Sequence, residues 1–384
     1  MRYATIQPLD IPARRRVLVV SDIHSNLPFL QGLLEQAAFC EEDLLILLGD
    51  FTEKRTGGLE TLRYIMALSQ RENVFPVCGN CDDLILSFLS PELPPEVFHR
   101  YFSAWGEKCL VVEMAHAAGF TKLEDHAALR ALLEARYQPE LAFLRSLPTI
   151  LLHDRFLFVH GGVPGEEGLE ALEAWRCMKN DDFLSQGRRF RRWCVVGHWP
   201  VTLYLDQVQD AKPIIRPVEH IISIDGGCSL ERNGQLNALV IPGDGSDHFS
   251  YVGYDGFPVA TALDPQDPSP SSLNIRWGRS QVEILQRGPE FSRCRHLESG
   301  QVLDILTDYL YTVQGETRCD DTTDYHLPVQ PGDRLSVIRQ TSRGLLAKRD
   351  SVTGWYFGRI SWEEGGAHRP SVLCQGPQNR RISR

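Results

Sequence analysis

The sequence predicts an α/β catalytic region followed by a β-rich C-terminal part. Three observations carry this. Short, wholly apolar runs such as Val17–Val20 and Leu44–Leu48 are each followed by a helical repeat. All but the first of these runs end in polar side chains beside glycine. Beyond about residue 242 the helical repeats give way to short alternating segments.

The first run, Val17-Leu18-Val19-Val20, leads directly into Ser21-Asp22-Ile23-His24. Leu30, Leu33, Leu34 and Ala37 then recur at helical spacing. A second strand, Leu44–Leu48, ends at Gly49-Asp50, and a helix over 59–69 follows. The third, Val74–Val77, ends at Gly79-Asn80-Cys81-Asp82. Such β-α-β-α-β alternation implies a parallel sheet with right-handed crossovers. Residues 84–147 break the rhythm and read as a helical insertion beside the cleft. The sheet resumes at Phe156–His160, at Trp193–His198 and at Ile221–Asp225.

At 384 residues the chain is long enough for two or three domains. It is 42% hydrophobic and 23% charged, as soluble proteins are. No apolar run reaches membrane-spanning length, and Met1–Arg16 lacks the apolar core of a signal peptide, so the cytoplasm is the expected compartment and no membrane partner is expected. Ten scattered cysteines suit reduced thiols, with neither a disulfide framework nor a structural zinc site expected. A net charge of -10 argues against nucleic acid as a partner.

Asp22, His24, Asp50, Asn80, His160 and His198 all fall at or just past strand ends. There the chain of an open α/β sheet faces its ligand crevice. Oxygen and imidazole donors without thiolate suit manganese, iron or zinc. Asp50 could bridge two ions, roughly 3.5–4 Å apart, which together activate water against a phosphorus centre. Taken singly, a strand-end histidine is more often structural and an aspartate after glycine more often a turn former. The recurrence at successive strand ends is what turns of this kind do not explain.

In these blocks, Ser21-Asp22-Ile23-His24, Gly49-Asp50-Phe51-Thr52-Glu53-Lys54, Gly79-Asn80-Cys81-Asp82, His160-Gly161-Gly162, Gly197-His198-Trp199-Pro200 and Ile224-Asp225-Gly226-Gly227-Cys228, the chain resembles the calcineurin-like metallophosphoesterases. Within them it is similar to the phosphoprotein (serine/threonine) phosphatases and their bacterial relatives. The resemblance implies a β-sandwich flanked by helices over about residues 14–245. It assigns Asp22, His24 and Asp50 to one ion, and Asp50, Asn80, His160 and His198 to the other. Manganese is the expected metal, with iron or zinc as alternatives. Trp199 stands where many phosphodiesterases of the superfamily carry a second histidine.

The departures from the family concern the substrate. Its third block normally reads Gly-Asn-His-Glu, and the histidine protonates the leaving oxygen. Here Cys81 and Asp82 fill the last two places, and Glu53 matches the acidic residue that would orient the histidine. Gly-Asn-Cys-Asp also occurs in small phosphodiesterases of the superfamily. Lys54, with Arg55 next to it, replaces a phosphate-clamping arginine, and Asn180 aligns with a second one. Lysine neutralises phosphate without bidentate geometry.

The C-terminal part divides into a β-rich linker or small barrel over 246–312, a second barrel over 313–365 and an expected disordered tail over 366–384. Pro331-Gly332-Asp333 and Gly354-Trp355-Tyr356 resemble a Src-homology-type barrel, which implies an aromatic groove for an extended peptide, or a packing module. No strand-end Asp/His set occurs there, so a chain ending near 245 is expected to keep activity on a small aryl phosphate. The expected function is hydrolysis of phosphomonoesters, including phosphoserine or phosphothreonine proteins. A nucleotide phosphodiesterase or pyrophosphohydrolase is the alternative enzyme, and a peptide-binding scaffold the alternative outside catalysis.

Overall fold

The computed structural model describes residues 2–90 and 94–362. The tail expected over 366–384 lies outside the described residues. Two mixed sheets face each other. In chain order the strands are β1 (Ile6–Pro8), β2 (Val17–Val20), β3 (Leu44–Leu48), β4 (Val74–Val77), β5 (Ile150–Leu152), β6 (Phe156–Val159), β7 (Trp193–Val196), β8 (Gln209–Asp210), β9 (Ile214–Arg216), β10 (Ile221–Ser223), β11 (Leu236–Ile241), β12 (Ser250–Tyr254) and β13 (Val259–Ala262). One sheet runs β12-β11-β2-β3-β4 and the other β1-β5-β6-β7-β10-β9.

Strands β2, β3 and β4 are parallel, as their helical crossovers dictate. The later apolar runs do not extend that sheet, as the sequence suggested, but build the second one. Val17, Val19, Leu44, Ile46 and Leu48 pack against Phe156, Phe158, Trp193, Val195 and Ile222 between the sheets. The alternate residues Leu18, Val20, Leu45 and Leu47 pack under helices. Both faces of these strands are therefore buried, which is why they read as continuous apolar runs rather than alternating ones.

Helices α1 (Leu27–Gln36), α2 (Gly58–Leu68) and α3 (Asn80–Leu89) cover the first sheet, and α4 (Pro95–Trp105), α5 (Leu110–Ala117), α6 (His126–Arg136) and α7 (Gln138–Ser146) extend that layer. None of the described helices is long and apolar enough to cross a membrane.

The C-terminal part is strand-rich, and its main sheet draws on distant segments. Its order is Ile360–Trp362, β13, Arg334–Gln340, Leu345–Arg349, Val352–Tyr356 and then β8. It thus crosses the expected boundaries at 245 and 312. The sandwich does so too: β1 precedes residue 14 and β12 follows residue 245. Lys348 is fully buried and its Nζ donates to Gln235 Oε1 at 2.9 Å. Asn233 Nδ2 donates to Thr353 Oγ1 at 2.9 Å, and Gln235 Nε2 to Ser351 Oγ at 2.9 Å.

These contacts bear on the expected active fragment. A chain ending near 245 would lose edge strand β12 and the bonds of Asn233 and Gln235 to Thr353, Ser351 and Lys348, each worth about 0.5–1.5 kcal/mol. We expect it to lose the cooperative thermal transition of the full chain. A calorimetric melt of both proteins checks this, and a fragment melting as sharply as the full chain would show that the sandwich stands alone.

Candidate metal centre

The ligand residues sit on backbone that few side chains adopt. Asp22 (φ 57°), His24 (φ 48°), Asp50 (φ 53°) and His198 (φ 67°) are all left-handed. Non-glycine residues held there cluster at functional sites. Short tethers hold them: Asp22 N donates to Gly49 O at 3.0 Å, His24 N to Asp50 O at 2.9 Å and His198 N to Asp22 Oδ2 at 2.9 Å. Two glycines make room. A Cβ at Gly79 would lie 2.2 Å from Asp50 N, and one at Gly197 would lie 2.4 Å from Asp22 Oδ2.

The side chains converge. His24, Asp50 and Cys81 present donor atoms within 4.8 Å of one another, and so do Asp50, His160 and His198. Asp50 is common to both groups, the position expected of a bridge. His24 Nε2 is 3.7 Å from Asp22 Oδ1 and 3.9 Å from Asp50 Oδ2. His160 Nε2 is 3.2 Å from Asp50 Oδ1 and 4.0 Å from Asp22 Oδ1. His160 Nδ1 meets Leu48 O at 2.8 Å, fixing the ring and turning Nε2 to the cluster.

The donors fit divalent ions. Asp22 Oδ1, Asn80 Oδ1 and His160 Nε2 are buried with no hydrogen-bond partner. A buried polar atom left unmade costs about 1–3 kcal/mol, and an ion removes that cost at all of them. Burial raises the Asp22 carboxyl to about 6 and lowers His24 and His198 to about 4, which leaves both imidazoles neutral and able to ligate. Burial also works against a charged His160, but the Asp50 and Asp22 carboxylates outweigh it and raise this imidazole to about 10, so an ion taking Nε2 would displace a proton there. Burial opposes ionisation of Asp50 as well, yet His160 holds it well below the usual range. Ions in this cluster would supply Lewis-acid activation of water and neutralise phosphate oxygens.

The remaining expected residues divide. Cys81 is buried in the cluster, and its N–H donates to Asp50 Oδ1 at 2.8 Å. Asp82 faces backbone: its carboxylate accepts from Asp50 N at 2.8 Å, Phe51 N at 2.9 Å and Gly79 N at 3.0 Å. Glu53 accepts from Leu110 N at 2.8 Å and Tyr101 Oη at 2.9 Å, so it ties the loop to the helical insertion. Lys54 Nζ lies 4.2 Å from the Trp105 ring centre and 3.4 Å from Tyr101 Oη. Arg55 is exposed. Asn180 accepts from Gln186 Nε2 at 2.7 Å.

Sequence reasoning missed Asp181, the residue after Asn180. Its Oδ1 is 2.7 Å from His198 Nε2, and Lys179 Nζ bonds the same carboxylate. Carboxylates in this position fix the tautomer of a ligating histidine, here leaving Nδ1 for an ion. The motif carried no signal for it, since an acidic residue beside a loop lysine reads as a solvated pair. Also passed over was the Cys-x-x-Cys spacing of Cys78 and Cys81; both thiols are buried and held protonated, by burial first. All described cysteines are free.

Two outcomes follow from this geometry. Asp50→Asn weakens both halves of the cluster at once, so the manganese-dialysed variant should hold less than one ion per chain where the wild type holds about two; elemental analysis against protein concentration reads this, and an unchanged content would exclude Asp50 as the bridge. Burial raises Glu53 from the usual 4.5 to about 7. A carboxyl raised in the fold stabilises it below pH 4.5 and loses that contribution as pH rises through 7. The loss of stability from pH 5 to 8 should therefore be shallower in Glu53→Gln, read by urea unfolding; equal slopes would acquit Glu53.

A match to the calcineurin-like phosphoesterase family covers residues 15–214. The symmetrical bis(5'-nucleosyl)-tetraphosphatase of Photobacterium profundum is 30% identical over 175 residues, 43% of this chain and 53% of that one. The chain thus spans about half the length of that curated relative. Among solved structures, one titled a putative diadenosine tetraphosphatase is 19% identical with a TM-score of 0.43, over 66% of this chain and 99% of that one. A serine/threonine phosphatase from Saccharomyces cerevisiae is 10% identical with a TM-score of 0.41, over 69% and 85% of the two chains. With the family match spanning more than half the sequence, this chain belongs to the calcineurin-like phosphoesterases.

Proposed function

We propose that this chain hydrolyses phosphoanhydrides, with nucleoside polyphosphates as the leading substrate class. The observation that carries this is Cys81. The family's phosphatases place a histidine there to protonate the leaving oxygen. Cys81 is a buried thiol whose pKa is raised well above the usual value, by burial first and then by the Asp50 charge. A thiol whose proton is held that firmly is a poor acid, and it is a weak hydrogen-bond donor. Expelling an alkoxide needs a proton, whereas a phosphate or nucleotide leaves as a weakly basic anion.

The substrate grip supports the same reading. Lys54 is a single point charge held against Trp105 and Tyr101 where the family has a bidentate arginine. A chain of phosphates presents several charges to such a contact, so it depends less on one clamp than a monoester does. The curated relative's name, a tetraphosphatase of dinucleosides, agrees with this class. Asp22, His24, Asp50, Asn80, His160 and His198 would hold two ions, manganese first. Asp82 and Asp181 are positioning residues, the one for the Asp50 loop and the other for His198.

Phosphomonoesters, including phosphoserine and phosphothreonine proteins, are the second reading. Trp199 favours it, because it stands where the superfamily's phosphodiesterases carry a second histidine. On either reading we place the protein in the cytoplasm. We read the strands around Trp355 as a Src-homology-type barrel, with the 48% exposed Phe357 and the Trp355 ring stacked beside it as the floor of a peptide groove.

Cys81→His tests the central claim. Restoring the acid should raise the rate on phosphoserine peptide by about 10²-fold or more, the low end for a positioned general acid. The rate on a dinucleoside tetraphosphate should move little. Parallel gains on both substrates, or a wild type already faster on the peptide, would reject the anhydride reading.

A further inference from the structure

The ligand loop Gly197–Pro200 carries an aromatic side chain with no part in holding ions. The Trp199 ring centre lies 6.5 Å from that of the ligand His198. Against it, edge to face at 80° and 5.6 Å, stands Trp277. Trp277 comes from the C-terminal part, at a turn closed by Arg279 N donating to Arg276 O at 3.0 Å, with Gly278 at φ 83°. It remains 38% exposed, although indole is costly to leave in water.

The turn is clamped to the segment that follows the ligand loop. Arg276 Nε donates to Leu203 O at 2.7 Å, and its Nη2 to Asp206 Oδ1 at 2.6 Å. Asn274 Nδ2 donates to Thr202 O at 3.0 Å and to Leu205 O at 2.8 Å. Arg276 and Asn274 are both buried. Buried polar side chains thus fix, to within hydrogen-bond tolerance, where an exposed indole stands.

We propose that Trp199 and Trp277 form a stacking platform for a nucleobase at the rim of the metal centre, so that residues 274–279 belong to the substrate site. The platform deepens the nucleoside-polyphosphate reading above and rests on it for the identity of the ligand. Its chemistry is that of a sequence-tolerant π-face, one indole steadied nearly at right angles by the other, on which a base gains about 1–3 kcal/mol. A nucleoside phosphate fits because it joins a flat aromatic ring to phosphates that the neighbouring cluster holds. Trp277 would then select for the nucleoside and act on binding, while the phosphates remain with the ligand residues.

The test uses the full chain loaded with manganese and two ligands that hydrolysis of the anhydride cannot consume. These are α,β-methylene-ADP and methylenediphosphonate, which differ by the adenosine. Calorimetry should find the wild type binding the nucleotide analogue more tightly. Trp277→Ala should lose about tenfold of that affinity, with the diphosphonate unaffected, and Trp277→Phe should recover most of it. Equal affinity of the wild type for both ligands overturns the platform. So does an equal loss for both in Trp277→Ala, which would give Trp277 a structural part only. Separate assay of dinucleoside tetraphosphate cleavage keeps the two claims apart. Adenosine preference without cleavage leaves the platform and rejects the reaction class; cleavage without adenosine preference does the reverse.

Discussion

One buried carboxylate sets the geometry of the ion cluster. Asp82 receives the backbone N–H groups of Gly79, Asp50 and Phe51, and so joins the end of β3 to the start of α3. Asp50 lies between them with a left-handed backbone that would otherwise relax. Holding a non-glycine residue there costs about 1–3 kcal/mol, and charge-accepting hydrogen bonds of about 1.5–3 kcal/mol each are of the size needed. Once Asp50 is placed, its own carboxylate takes the Cys81 N–H and faces both histidine groups. The arrangement also carries an electrostatic cost, since burial and the nearby Asp50 charge raise Asp82 to about 7.

Carboxyl groups are concentrated at the cluster. Asp22, Asp50, Asp82 and Asp225 are all buried about the same strand ends. Asp225 is pushed well above the usual range, by burial and then by Asp22. Such a density suits cations, and the two carboxylates nearest His160, Asp50 and Asp22, drive it alone among the three histidines to hold a proton.

Much of this was legible in the sequence, for a reason that also marks its limit. A strand buried on both faces reads as an unbroken apolar run, so β2, β3, β6 and β7 stand out. The same unbroken run has no inward and outward face, so nothing in it says which sheet the strand joins. The six expected ligands stood out because each follows such a run, four of them beside a glycine. Asp181 was not, because it lies on an irregular loop where only tertiary packing brings it to His198. Glu53 and Asp82 were legible as acids of a motif but not in their direction, since both turn toward backbone N–H groups that sequence cannot place. The alternating C-terminal strands were legible, but β8 was not: a two-residue strand leaves almost no pattern, and its partner lies at Val352 and Thr353.

That pairing bears on how the molecule assembles as it is made. The edge strand β8 leaves the ribosome early, while its partner segment Val352–Tyr356 is translated long after the sandwich strands. Until then β8, which belongs to neither sandwich sheet, stays unpaired, and Asn233 and Gln235 lack their bonds to Thr353, Ser351 and Lys348. Contacts so far apart in sequence form late and slow folding, and unpaired edges in the interval invite association. The nascent catalytic half therefore carries β8 unpaired until the last C-terminal strands dock.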